Sequence, residues 1–145
     1  MKEIVLRHFF DGYASADELR RDAAGMRYRE GPDRGPHVYR YDVVPMAREF
    51  ELRSSHLLKL LGAVESGSMG VRELEDLSSW LEGAMDRFLR DVDTEDGERV
   101  AGALFLLANP DINYPLTPRV LSKIRHYLTT GEKTLTRADR QASFL

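Results

Sequence analysis

Few stretches of this chain combine the residue types and spacing that chemistry requires. Asp91-Val92-Asp93-Thr94-Glu95-Asp96-Gly97 opens like a loop for a hard cation such as calcium, with oxygen ligands at the first, third and fifth positions. The register then fails, because Asp96 falls where such a loop needs its turn glycine and Gly102 falls where it needs a bidentate acid. The stretch reads instead as an acidic solvated loop that caps a helix beginning at Val100. Ser66-Gly67-Ser68-Met69-Gly70 has some glycines of a nucleophile elbow, yet Ser66 replaces the first of them and the preceding segment reads as helix where the elbow needs a strand. No Lys-Ser or Lys-Thr follows to make a phosphate loop. The four histidines, His8, His37, His56 and His126, include no pair three or four residues apart that would offer two imidazoles on one helix face. With no cysteine, thiolate nucleophiles and sulfur-bound zinc are excluded. The sequence points to no catalytic residue, no metal and no cofactor, and to a protein that is not an enzyme. Only a triad or metal site assembled from distant residues by folding is left open.

Charge carries more information than any motif. The net charge is only −3, but it is divided along the chain. Between Arg72 and Asp111 eleven acids face four arginines, whereas from Pro115 onward six bases face two acids. Such asymmetry either steers a partner through its field or lets two surfaces of one protein attract each other. The candidate partner-binding set is Glu73, Glu75, Asp76, Glu82, Asp86, Asp91, Asp93, Glu95 and Asp96, a region that would speed association with a basic protein. The candidate nucleic-acid set is Arg119, Lys123, Arg125 and His126 on the helix expected over 118–129, where cationic side chains would neutralise phosphates. The overall acidity and the scarcity of interleaved aromatics make the nucleic-acid reading the weaker one.

The elements that must position these residues follow from caps and periodicity. A short helix is expected over Lys2–Phe10, stopped by Asp11-Gly12, and Ser15-Ala16-Asp17-Glu18 is a capping box that opens a second helix ending near Gly25. Gly31-Pro32-Asp33-Arg34-Gly35-Pro36 is a loop by composition. After it, Tyr39, Tyr41 and Val43 alternate within a strand over 37–44, and Glu49–Arg53 alternates again, so a hairpin between the two is expected. Ser54 or Ser55 would cap a leucine-rich helix ending at Gly67. The longest helix is expected from Val71 to Arg90, with Leu74, Leu77, Leu81, Met85 and Phe88 as its buried stripe. Val100–Ala108 reads as a buried central helix ended by Asn109-Pro110. Thr117 as cap and Pro118 at the first helical position open the last helix, which Gly131 ends.

The expected fold is mainly α, with five or six helices and a small antiparallel β element; an all-α fold is the alternative. One globular domain over 1–130 is expected, followed by a polar tail or short docked helix over 131–145. Apolar residues make up 42% of the chain and charged residues 31%, an ordinary globular balance. The longest apolar run, Val100–Ala108, is less than half of the roughly 20 residues a membrane span needs. The charged start, Met1-Lys2-Glu3, lacks a secretory pattern. A cytoplasmic protein is the expectation.

Phe50 through Trp80, together with Leu107-Ala108-Asn109-Pro110-Asp111-Ile112-Asn113-Tyr114-Pro115-Leu116-Thr117, resembles parts of small helical immunity proteins of bacterial toxin systems. The resemblance implies a cytoplasmic inhibitor that binds one toxin tightly, and the acidic region would suit a toxin that itself binds nucleic acid. Two other readings stand beside it. One is a small DNA- or RNA-binding regulator using the basic helix. The other is a non-catalytic subunit whose aromatic stretch from Tyr39 to Phe50 pairs an edge strand with another protein or a second copy.

Overall fold

Side-chain caps open three of the six α-helices in the computed structural model, which describes residues 1–31, 38–46 and 48–140. The glycine–proline stretch at 32–36, His37 at the start of the expected strand, and the end of the tail at 141–145 lie outside the described residues. The chain is 55% helical and 11% strand, mainly α with a small β element. It divides into two compact units, Met1–Ala47 and Arg48–Leu145.

In the first unit, α1 (Glu3–Asp11) is stopped by Gly12, whose φ of 86° turns the backbone left-handed. In front of α2 (Ala16–Ala23) the capping box forms as read: Ser15 Oγ accepts from the Glu18 amide at 3.1 Å, and the Glu18 carboxylate accepts from the Ser15 amide at 3.5 Å. Leu6, Phe9 and Phe10 of α1 are buried, as are Leu19 and Ala23 of α2. The buried Glu3 carboxylate accepts a hydrogen bond from the Met46 amide.

The strand after the glycine–proline stretch, β2 (Val38–Tyr41), does not pair with residues near 50. It pairs antiparallel with β1 (Arg27–Glu30), in a register that sets Arg27 opposite Tyr41 and Glu30 opposite Val38. The strand pairing therefore joins residues on either side of positions 32–37 in the sequence. Arg27-Tyr28-Arg29-Glu30 carries no apolar alternation because both of its faces are largely exposed, so periodicity had nothing to register.

In the second unit, β3 (Phe50–Glu51) pairs in parallel with β4 (Phe88–Leu89). Between them lie α3 (Ser54–Glu65) and α4 (Val71–Gly83), and after them α5 (Glu95–Ala108), α6 (Pro118–Thr130) and a single 3-10 turn, Arg137–Arg140. Helix α5 packs against α3, α4 and α6. Leu57, Leu61, Leu77, Leu104, Val120 and Ile124 of these helices are fully buried, which is the apolar stripe expected of each.

Three boundaries differ from the sequence expectation. Helix α4 ends at Gly83, not Arg90, so Met85 is left 61% exposed while Phe88 is buried from a strand. Phe88 stacks on Phe50 with centroids 5.4 Å apart and meets the Trp80 ring edge-on at 5.3 Å. Burial of this aromatic cluster replaces two more turns of helix. Helix α5 starts at Glu95 rather than Val100, because the Thr94 hydroxyl caps it by accepting from the Gly97 amide at 3.0 Å. The acids at 95, 96 and 98 thus occupy a first helical turn, where the helix dipole favours them. Helix α3 is capped at Arg53, and Ser54 lies inside it.

Candidate protein-binding surface

The structure sorts the acidic set by what each carboxylate already does. Asp96 Oδ2 accepts from the Ser54 amide at 3.2 Å, so an acid in the first turn of α5 satisfies an open donor at the start of α3. Glu82 Oε1 and Oε2 each lie 3.3 Å from Asn109 Nδ2. Glu73 folds back on Gly70 at the start of α4, in the space a side chain on that glycine would fill. Glu75 and Asp76 are half-buried on the same helix, and each is already engaged in an interaction. Asp91 uses Oδ1 to accept from the Asp93 amide at 3.0 Å, and Glu95 stands 4.0 Å from Arg99.

Asp86, Asp91 and Asp93 remain exposed along the short connection between α4 and α5, and Glu95 is exposed at the first residue of α5. The same connection carries exposed apolar side chains, among them Met85, which helical spacing alone assigns to the core. Met85 is 61% exposed, Leu89 37% and Val92 56%. The cue in the sequence is Gly83, which can close the helix before Met85, followed by Val92 among acids.

This connection is held at several points. The Phe50 amide donates to the Arg87 carbonyl at 2.7 Å and the Leu52 amide to the Leu89 carbonyl at 2.8 Å. Arg90 Nη2 donates to the carbonyls of Leu81 and Glu82 at 3.2 and 3.0 Å, satisfying acceptors at the end of α4. Burial lowers the pKa of that guanidinium, opposed by the charge of Glu82. Thr94 closes the connection with its amide and hydroxyl, both donating to the Asp91 carbonyl at 3.0 and 2.6 Å.

The basic set on α6 is engaged inside the unit. Arg119 Nε lies 3.2 Å from Asp139 Oδ1, and Lys123 Nζ lies 2.8 Å from Asp139 Oδ2. Arg125 grips Glu65 of α3 through Nε at 2.8 Å and Nη2 at 2.9 Å, a bidentate pair. His126 Nε2 lies 3.1 Å from Glu132 Oε2. Each of the four candidate nucleic-acid residues therefore has a carboxylate beside it. The acidic and basic stretches of the sequence do not simply neutralise each other, since all three of these carboxylates, Glu65, Glu132 and Asp139, lie outside the acidic run.

Among the described residues no cluster of three metal-ligating side chains occurs, and no helix is long and apolar enough to cross a membrane. Comparison with protein-family models, with characterised proteins and with solved structures finds no match to this chain.

Proposed function

We propose that this chain is a non-catalytic protein-binding module that presents Met85, Leu89 and Val92, rimmed by Asp86, Asp91, Asp93 and Glu95, to a partner with a basic surface. The observation that carries the reading is the exposure of three sizeable apolar side chains on a connection whose backbone is tied to β3 and to the end of α4. Apolar side chains within a charged rim suit a binding interface, and a backbone already ordered loses little entropy on docking. The rim acids would steer a cationic partner. In its most concrete form the module is an immunity-type inhibitor, covering the basic surface with which a toxin engages nucleic acid. A nucleic-acid-binding role for α6 is less well supported, because phosphate would have to displace carboxylates from Arg119, Lys123, Arg125 and His126. One observation favours a second reading, that of an assembly subunit: the β1–β2 hairpin leaves Tyr28, Val38 and Tyr39 exposed, as a strand awaiting a neighbour would.

Affinity capture from the native cell with three baits tests the first reading. The baits are the wild type, a D86K/D91K/D93K variant and an R119E/R125E variant. A basic protein retained by the wild type and the α6 variant, and lost from the acid-reversed bait, is the expected result. Retention of the same partner by the acid-reversed bait would overturn the site assignment.

A further inference from the structure

A pocket of about 240 Å³ opens beside the packed pair α5 and α6 and is closed on one side by residues 133–135. Its apolar walls are Phe105, Leu106 and Leu135, with Tyr114 and Tyr127 adding ring surface. Gly102 makes room for one of those rings. A side chain there would meet the Tyr127 hydroxyl at 2.8 Å and two ring carbons at 3.2 and 3.3 Å.

The polar groups of the lining are unevenly satisfied. Lys123 is engaged, donating to the Thr134 carbonyl at 3.2 Å and to Asp139 at 2.8 Å. Lys133 Nζ lies 5.9 Å from the centroid of the Tyr127 ring and has no carboxylate within ion-pair reach among the described residues. Tyr127 is only 7% exposed, yet its hydroxyl has no hydrogen-bond partner among the described residues. The hydroxyl is not among the fully buried unpartnered atoms, so it is open to the pocket, where a ligand acceptor could reach it. Burial, helped by the charge of Glu98, raises the Tyr127 pKa, so the group remains an O–H donor at neutral pH.

The two groups without a protein acceptor are thus both donors, one of them cationic, and no carboxylate lines the pocket. Glu95 and Glu98 belong to an adjoining cleft, which shares Tyr127 and Lys133 and also holds Arg99. The Arg140 guanidinium, outside the lining, lies 5.4 Å from the centroid of the Tyr114 ring. A complementary ligand brings a negatively charged acceptor and a flat apolar body. The volume lies below the roughly 300 Å³ at which drug-sized sites begin, which limits the body to a single ring.

We propose that this pocket binds a small aromatic carboxylate, with its ring between Phe105, Leu135 and the tyrosines and its carboxylate between Lys133 Nζ and the Tyr127 hydroxyl. The site is independent of the protein-binding surface, with which it shares no lining residue.

Titration of the full chain with benzoate and phenylacetate, followed by amide NMR, tests this directly. Saturable shifts at Gly102, Thr134 and Leu135 are expected, with benzamide and phenylacetamide binding at least about tenfold more weakly. Lys133→Met, at an exposed position, should weaken the carboxylates about tenfold without altering the melting temperature, and should leave the amides unchanged. Tyr127→Phe should also weaken the carboxylates and serves as a second, shape-preserving variant. Absence of saturable shifts up to about 10 mM, equal binding of acids and amides, or carboxylate binding insensitive to Lys133→Met would each overturn the proposal.

Discussion

The Lys123 ammonium of α6 lies 2.8 Å from the carboxylate of Asp139, an acid with almost no exposed surface in a turn sixteen residues further along. The Thr136 amide donates to the same oxygen at 2.7 Å, and Arg119 approaches the other at 3.2 Å. This arrangement fastens the segment after Gly131 to α6. Asp139→Asn keeps the shape but removes the charge that Lys123 faces. Amide exchange through residues 132–140 should then accelerate by about tenfold or more, while the buried amides of α5 keep their protection. Hydrogen-exchange mass spectrometry checks both halves of that statement.

The same fastening has a pH limit. The Lys123 hydrogen bond, followed by that from the Thr136 amide, holds the Asp139 carboxyl below its ordinary value of 3.8. A carboxyl whose pKa is depressed in the folded state contributes stability that is complete above its unfolded pKa and is lost as pH falls through the lower folded value. The segment should stay docked from neutral pH down to about pH 4 and loosen only in stronger acid. Exchange or near-ultraviolet measurements between pH 7 and pH 2 would detect this, and loosening already near pH 6 would contradict it.

Gly97 is required by close approach. A Cβ on it would fall on the backbone carbonyl of Asp91, the atom that also accepts from Thr94. Gly97→Ala should therefore cost about 1–3 kcal/mol through strain at the start of α5. Gly83 has open space where a Cβ would stand, and Gly83→Ala should be neutral or stabilising by roughly 0.5 kcal/mol. Urea denaturation of the two variants provides the comparison.

The acids separate by the same kind of test. Asp96→Ala removes the acceptor for the Ser54 amide and should cost about 1 kcal/mol, as loss of a helix cap does. Asp93→Ala should stay within about 0.5 kcal/mol of the wild type while weakening partner capture. A stability loss at Asp93 equal to that at Asp96 would mean that the rim is part of the scaffold.

For α6, a double-mutant cycle on Arg125→Ala and Glu65→Ala should return a coupling of about 0.5–1 kcal/mol, since the pair is bidentate but half exposed. Retention on immobilised duplex DNA at low salt should be weak and unaltered by Arg125→Ala. A steep salt-dependent retention lost in that variant would revive the nucleic-acid reading.

Features decided within a few residues were legible in the sequence. The Ser15–Glu18 capping box, Thr117 and Pro118 at the start of α6, and the left-handed glycines 12 and 131 all appear where the residue types demand, because amide satisfaction and φ are local matters. The mainly α class followed from the same signals together with the apolar stripes. The stripe through Leu74, Leu77 and Leu81 misled only at its end, where Met85 and Phe88 keep the helical spacing but Phe88 is buried against Phe50 and Trp80.

What tertiary structure alone decided is which distant groups meet. Strand pairing joined 27–30 to 38–41 and 50–51 to 88–89, neither of which periodicity could indicate, since a hydrogen-bonded ladder leaves no mark on which strand its partner will be. The division of the charges was of the same kind. Arg125 and Glu65 are sixty residues apart and form a bidentate pair, whereas Asp93 lies among neighbours of like charge and stays exposed, as does Asp86. The sequence therefore determined where charge and helix would be. Only packing determined which carboxylates brace the scaffold and which apolar side chains remain uncovered, because electrostatic pairing and burial depend on distance in space.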